Sequence, residues 1–171
     1  MARTSARVLG AKELKALAKD LKQQENGKER RKEMVQGLRK AVKPMVPALR
    51  AAIQRIPSKG HGPRKGRKGT LRSEFSRSVT TQVRTTGKNA GAAVFMNPRK
   101  MPDGTKSLPA YFEQKPGYTR LRHPTFGNWE LPQQQKVPPR GYFTQTVVPL
   151  IKDAREVAEE VIKKTAKDLE S

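Results

Sequence analysis

The side chains that could support acid–base catalysis are few in this chain and stand far apart. The 171 residues contain no cysteine and only two histidines, His61 and His123. His61 lies in a glycine-rich stretch in which no neighbouring side chain could fix its imidazole. His123 precedes Glu130 by seven residues, so a histidine/glutamate ribonuclease pair is conceivable, but no spacing rule supports it. A histidine that stabilises a turn is the favoured interpretation.

The carboxylates give no better active site. Glu113 is the only acidic residue between Asp103 and Glu130, and one carboxylate makes neither a glycosidase pair nor a two-metal site. The absence of cysteine excludes disulfide frameworks, zinc ribbons and iron–sulfur ligation. We therefore predict that the chain is not an enzyme and has no catalytic residue, cofactor or metal ion.

The glycines of residues 60–69 do not form a nucleotide-binding loop. The segment matches neither GxxxxGK[ST] nor GxGxxG, and no strand is predicted before it. Lysine and arginine on such a backbone can still neutralise phosphates without fixed geometry. The cations predicted to face DNA are Lys59, Arg64, Lys65, Arg67, Lys68 and Arg72.

The net charge of +22 is concentrated in the N-terminal part of the chain. Residues 1–72 carry +16, residues 73–143 carry +7 and residues 144–171 carry −1, and no acidic residue occurs from Met34 through Ser73. Such a segment repels itself unless a polyanion or solvent accepts the charge. A nucleic acid is the favoured neighbour, and the alternatives are a face kept basic for solubility and a membrane-surface helix. Because aromatic residues are scarce in the basic run, base stacking is not expected.

The hydrophobic periodicity predicts an α+β protein, in which a small antiparallel sheet is flanked by a long basic N-terminal helix and a C-terminal helix. We expect residues 1–33 to form a basic helical arm and residues 34–171 a single domain. Pro44 and Pro47 predict a kink or break in the basic helix. Val79 to Thr85 and Ala90 to Met96 predict a hairpin, and residues 144–170 the C-terminal helix. Residues 57–70 are predicted to be a basic loop. Residues 97–141 are predicted to be a long loop region, mostly loop or irregular strand, in which Leu108 to Phe112 could make a short helix.

Neither a membrane span nor a secretory signal is expected. The densest apolar run, around Val147 to Ile151, is far shorter than the 18 to 20 residues that a spanning helix needs. The first ten residues lack the apolar region of a signal peptide.

Several segments between Gly69 and Thr144 are typical of one protein family when taken in order. They are Gly69-Thr70-Leu71-Arg72-Ser73, Leu108-Pro109-Ala110-Tyr111-Phe112-Glu113, Arg122-His123-Pro124-Thr125-Phe126-Gly127-Asn128 and Pro139-Arg140-Gly141-Tyr142-Phe143-Thr144. With the basic helix before them, they make residues 34–170 resemble the tail-completion, or minor tail-component, proteins of long-tailed double-stranded DNA bacteriophages. The segment from Arg122 to Asn128 is the more specific part.

The resemblance implies a structural protein of the virion neck. Members of that family are small α+β proteins that assemble as rings, usually hexameric, where the tail tube meets the head-to-tail connector. The implied partners are further copies of the chain, the tail terminator and tail tube proteins, the connector proteins, and DNA bound without sequence preference in the channel. The implied location is the virion, with the host cytoplasm during assembly. Arg122, His123, Pro124, Phe126, Gly127 and Asn128 would form a structural or intersubunit element. The alternative is a sequence-nonspecific nucleic-acid-binding protein of ribosomal or nucleoid-associated type.

Overall fold

The structure is a computed structural model and describes residues 5–7, 11–56, 70–87, 90–101, 104–113, 121–125, 128–135 and 141–170. Five strands are described: β1 (Ser5–Arg7), β2 (Val79–Arg84), β3 (Gly91–Met96), β4 (Leu121–Thr125) and β5 (Asn128–Gln135). Six α-helices are described: α1 (Ala11–Asp20), α2 (Gly27–Val42), α3 (Met45–Arg55), α4 (Leu71–Arg77), α5 (Leu108–Glu113) and α6 (Tyr142–Glu170). Helices and antiparallel sheets in one chain confirm the predicted α+β class.

A three-stranded antiparallel sheet is formed in the order β1-β3-β2. The predicted hairpin is confirmed, because β2 pairs with β3 from Val79 opposite Met96 to Arg84 opposite Gly91. The chain start adds β1 to the other side of β3, which the hydrophobic pattern had not indicated. Ala92, Val94 and Met96 are buried and face the helices, whereas the residues between them are half-buried.

Residues 97–141 contain more regular structure than the predicted loop or irregular strand, and the short helix expected from Leu108 to Phe112 is present as α5. The range also contains a 3-10 turn at Pro98–Lys100 and the antiparallel pair of β4 and β5. Only two residues separate β4 from β5, and their register shifts between Pro124 and Thr125. The turn-forming residues mark where the chain reverses, and the strands between them are regularly paired where irregular strand was expected. The predicted basic loop lies outside the described residues from residue 57 to residue 69.

The predicted interruption of the basic helix is confirmed at Lys43 and Pro44, which separate α2 from α3. Both residues keep right-handed helical dihedral angles, so the chain kinks and does not turn back. Pro44 and Pro47 each lack the amide hydrogen that would continue the helical ladder. The amides of Lys43 and Val46 instead bond to carbonyls three residues earlier, at 3.2 and 3.1 Å.

One apolar core joins α1, α2, α3, the sheet and α6. The apolar stripe of α2 and α3 lies at its centre, and each of its large side chains is fully buried: Met34, Leu38, Val42, Met45, Leu49 and Ile53. Leu14, Leu17 and Leu21 of the N-terminal region belong to the same core. The predicted domain boundary between residues 33 and 34 falls inside α2, so residues 11–33 contribute to the packing of the later elements.

Helices α2 and α6 approach closely at Gly37. A β-carbon placed on Gly37 would lie 2.8 and 2.9 Å from the two methyl groups of Val161. Carbon atoms pack at about 3.5 to 4.0 Å, and a β-branched side chain has little rotamer freedom to withdraw. The contact between these helices therefore depends on the missing side chain at position 37.

We expect Gly37→Ala to lower the free energy of unfolding by about 1 kcal/mol, because the overlap outweighs the gain in helix propensity. Urea denaturation measures this change. In a Val161→Ala background the same substitution should cost less, since the two clashing methyl groups are gone. Equal effects of Gly37→Ala in the two backgrounds would contradict the close contact.

Candidate nucleic-acid interface

The exposed side of α2 and α3 carries a row of cations on the face opposite the core. We call it the cationic face and define it as Lys32, Arg39, Lys40, Lys43 and Arg50, all of which are exposed. From Lys32 to Arg50 the cationic face is about 27 Å long, taking a helix rise of 1.5 Å per residue and neglecting the kink. None of these side chains forms an ion pair with another described residue. From Met34 onward neither helix contains an acidic residue, so no carboxylate of α2 or α3 stands among Arg39, Lys40, Lys43 and Arg50, whereas Lys32 has Glu29 and Glu33 nearby in the sequence of α2.

Two arginines near the start of α2 bind other parts of the fold. Arg30 donates hydrogen bonds to the Asp168 carbonyl and, at 3.1 Å, to Gln24 Oε1. Arg31 donates to the Thr85 hydroxyl at 2.8 Å and so links α2 to the end of β2. Because carbonyls at a helix C-terminus carry partial negative charge, Arg30 is well placed at the end of α6. Both guanidinium groups are already used within the fold.

Of the six cations predicted to face DNA, the structure describes only Arg72. Lys59, Arg64, Lys65, Arg67 and Lys68 lie outside the described residues. Arg72 is half-buried in α4, and its guanidinium donates to the Ile56 carbonyl at 2.7 Å. It therefore joins the end of α3 to the start of α4, across the segment that contains the other five residues.

The residues of the family-like motif lie on the small second sheet. Arg122, His123 and Pro124 are in β4, and Asn128 is the first residue of β5, opposite Thr125. Phe126 and Gly127 lie outside the described residues. The register brings His123 opposite Gln133, so Glu130 is not its cross-strand partner.

Glu113 caps the start of α6 from the end of α5. Its Oε2 accepts a hydrogen bond from the Phe143 amide at 3.0 Å, and its Oε1 accepts one from the Thr144 amide at 3.2 Å. The Thr144 hydroxyl also donates to Oε1. Gly141 holds the N-cap position, because its carbonyl accepts the Gln145 amide at 2.8 Å. Glycine has no side chain to satisfy the first amides, so a carboxylate from elsewhere takes that role.

The cap joins two of the segments that carry the family resemblance, namely residues 108–113 and 139–144. The sequence contained a signal for it, since α6 begins after a glycine without a serine, threonine, asparagine or aspartate to cap it. Both oxygens of the carboxylate are occupied by donors in the protein. Glu113 therefore has a structural role as the cap of α6.

Aromatic rings surround the same helix start. Phe75 lies 5.5 Å from Phe112 and 5.6 Å from Tyr142, measured between ring centroids. The Tyr142 hydroxyl is buried, and no described residue forms a hydrogen bond with it. Burial, with a smaller contribution from the negative charge of Glu113, raises the pKa of Tyr142 far above its ordinary value. Tyr142 and Phe143 are both buried in the apolar core.

The described part of the chain has neither a cluster of metal-binding side chains nor a membrane-spanning helix. No three histidine, cysteine, aspartate or glutamate residues in it come together as a metal site would require. None of its helices combines the length and apolar character of a membrane span.

We expect Glu113→Gln to lower the free energy of unfolding by about 1 to 2 kcal/mol, because the amide loses the charge and one of the two acceptors that cap α6. Glu160→Gln is the matched control, since Glu160 is exposed in the middle of the same helix. Chemical denaturation compares the two variants. Equal effects would show that the cap contributes nothing specific.

Tyr142→Phe should raise the free energy of unfolding by about 1 kcal/mol at neutral pH, because it removes a buried hydroxyl without a partner. In the unfolded chain this tyrosine ionises near pH 10, whereas in the folded chain it stays protonated. The wild-type protein should therefore lose about 1.4 kcal/mol per pH unit above pH 10 through this residue, and the variant should not. Denaturation at neutral and alkaline pH tests this, and parallel pH profiles would contradict it.

Comparison with protein-family models, curated proteins and solved structures found no match to this chain. The functional interpretation therefore depends on the distribution of charge over the structure and on the segments that carry the resemblance.

Proposed function

We propose that this chain is a structural protein of the bacteriophage neck, where copies of it form an adaptor ring around the DNA channel. The ring, of the hexameric type usual in the resembled family, joins the tail tube and tail terminator to the head-to-tail connector. The observation that carries the proposal is the cationic face of α2 and α3, whose side chains are exposed and have no ion pair among the described residues.

The chemistry of this face fits sequence-neutral contact with a duplex. Its lysines and arginines can neutralise phosphates and release counterions, which gives affinity without sequence preference. Its neighbours on α2 and α3 include no aromatic side chain that could stack on bases. Weak contacts of this kind let DNA slide past a ring. Several copies would add their potentials along the channel.

The second candidate function is a sequence-nonspecific nucleic-acid-binding protein that acts without a virion, of ribosomal or nucleoid-associated type. The same cationic face supports it, because phosphate neutralisation alone supplies nonspecific affinity. The two proposals differ in what stabilises the bound state. The adaptor needs neighbouring neck proteins, whereas the free binding protein needs only nucleic acid.

For both candidates we expect that changing Lys32, Arg39, Lys43 and Arg50 together to glutamine weakens binding to a short duplex. The slope of log affinity against log salt should fall by roughly 3 to 4, since each phosphate contact contributes about 0.9. Fluorescence anisotropy across a salt series measures this. The matched control changes Lys152, Lys163, Lys164 and Lys167 of α6, which are also exposed, to glutamine.

The control variant removes the same charge from a different surface, so it should leave most of the salt slope intact. Equal losses in the two variants would show that net charge, and not the cationic face, determines binding. Far-UV circular dichroism verifies that both variants stay folded.

Reconstruction of the neck of intact phage particles carrying this chain tests the adaptor role. We expect a ring of copies between tail tube and connector with α2 and α3 directed to the lumen. Particles that complete their necks without the chain would contradict the adaptor role. Tight duplex binding near physiological salt, with no association with tail or connector proteins, would instead favour the second candidate.

A further inference from the structure

The outer edge of β2 is open in the described structure. The strand order β1-β3-β2 leaves β2 at one side of the sheet, paired with β3 along all six of its residues. The Ser78 carbonyl accepts the Asn97 amide at 2.8 Å, which fixes the direction of the next peptide groups. Backbone groups alternate along an antiparallel strand, so those of Val79, Thr81 and Val83 point away from β3. No hydrogen bond joins these outward groups to another described residue.

From Val79 to Val83 this edge lacks the features that usually prevent strands from pairing, and Arg84 at the end of β2 is the one charged side chain of the strand. Exposed edges are commonly protected by charged side chains, proline, bulges or very short length. From Val79 to Val83 the strand contains no charged residue and no proline, although 30% of the whole chain is charged. Its pairing with β3 has no register shift, so no bulge bends the edge away.

The sequence of β2 is self-complementary about Thr81. In an antiparallel pair of two copies centred there, Val79 of each copy lies opposite Val83 of the other, and the two Thr81 residues face each other. All three of these pairs use backbone groups that point outward, so all three are of the hydrogen-bonded kind. We propose that β2 is an interaction surface for a second copy of this chain, which joins two sheets into one across a two-fold axis.

Side chains on both faces of β2 fit this register. Val79, Thr81 and Val83 lie on the helix-covered face, since they pair with the buried residues Met96, Val94 and Ala92. Valine would meet valine there, which extends the apolar layer across the interface. On the other face Thr80 lies opposite Gln82 of the second copy, and their polar side chains can hydrogen-bond. Matched cross-strand pairs of these kinds stabilise sheets.

Charge explains why the second copy would meet at this edge. Two chains of net charge +22 repel each other at most orientations, but in this register the paired residues Val79 to Val83 carry no charge, and Arg84 at the end of each strand lies opposite Ser78 of the other copy. A two-fold pairing closes on itself and gives a dimer, not a ring. The dimer is therefore a state of the free chain, and the inference does not rest on the proposed function.

Sedimentation equilibrium of the full chain tests the inference. Dimerisation should strengthen between about 50 mM and 500 mM salt, because screening reduces the repulsion between copies. Binding to DNA through the cationic face should weaken over the same range. A chain that stays monomeric at high salt and about 1 mM protein would overturn the inference, and so would assembly into a ring larger than a dimer.

Two double variants test the register. Thr80→Lys with Gln82→Lys puts like charges opposite each other across the two-fold axis and should weaken the dimer about tenfold or more. Thr80→Glu with Gln82→Lys puts opposite charges there and should preserve or tighten it. Equal dimerisation constants for the two variants would overturn the register. Both should keep the DNA affinity of the cationic face, which separates failure of this inference from failure of the proposed function.

A cysteine variant tests the same register with little change to the strand. The chain has no cysteine of its own, so Thr81→Cys introduces one thiol per copy. Cα atoms of a hydrogen-bonded pair lie about 5.5 Å apart, within the range that a disulfide bridges. Under mild oxidation Thr81→Cys should form a covalent dimer faster than Thr86→Cys, an exposed control beyond the end of β2. Equal rates for the two variants would contradict the proposed pairing.

Discussion

The packing of α6 against α2 is the contact on which the rest of the structure depends. It requires the missing side chain at Gly37, and it is held at both ends of α6 by groups of suitable charge. The Glu113 carboxylate binds the first amides of the helix, while Arg30 and Gln24 bind carbonyls of Asp168 and Leu169 in the last turn. The negative carboxylate at the N-terminus and the positive guanidinium at the C-terminus both interact favourably with the helix dipole, so both ends of α6 are stabilised. The kinked pair α2 and α3 is thereby fixed between α6 and the sheet.

Fixing α2 and α3 from one side determines which of their charges stay available. The apolar stripe from Met34 to Ile53 faces inward, so the opposite face presents its lysines and arginines to solvent. Three other guanidinium groups donate hydrogen bonds within the protein and so stabilise the fold, namely those of Arg30, Arg31 and Arg72. The excess positive charge therefore has two roles that composition alone does not separate. The exposed and unpaired subset is the one that supports contact with a polyanion.

Periodicity alone predicted the elements that bury one face, namely α6, the β2 and β3 hairpin and the kinked basic helix. The prolines even placed the kink correctly, because a missing amide hydrogen acts locally. The pairing of β1 with β3 and the capping of α6 by Glu113 join distant parts of the chain, and no local pattern records such contacts. Strands β4 and β5 were expected only as loop or irregular strand, because turn-forming residues surround them and their pairing leaves no local pattern. Of the candidate site, the stripe from Lys32 to Arg50 was predictable, whereas the internal use of Arg72 required the position of Ile56.

The cationic face and the outer edge of β2 are the two surfaces proposed for binding. Both depend on segments of the sequence that lack charged residues, of negative sign in the first case and of either sign in the second. On α2 and α3 the absence of acidic residues from Met34 onward leaves the cations of that part unneutralised, and a polyanion is the partner that lowers their energy. On β2 the absence of any charge from Val79 to Val83 leaves backbone groups as the strongest unsatisfied interaction. Salt screens the attraction between the cationic face and a polyanion, and it also screens the repulsion between two copies that opposes pairing through β2. Because the two surfaces belong to different elements, each can be altered by substitutions that leave the other unchanged.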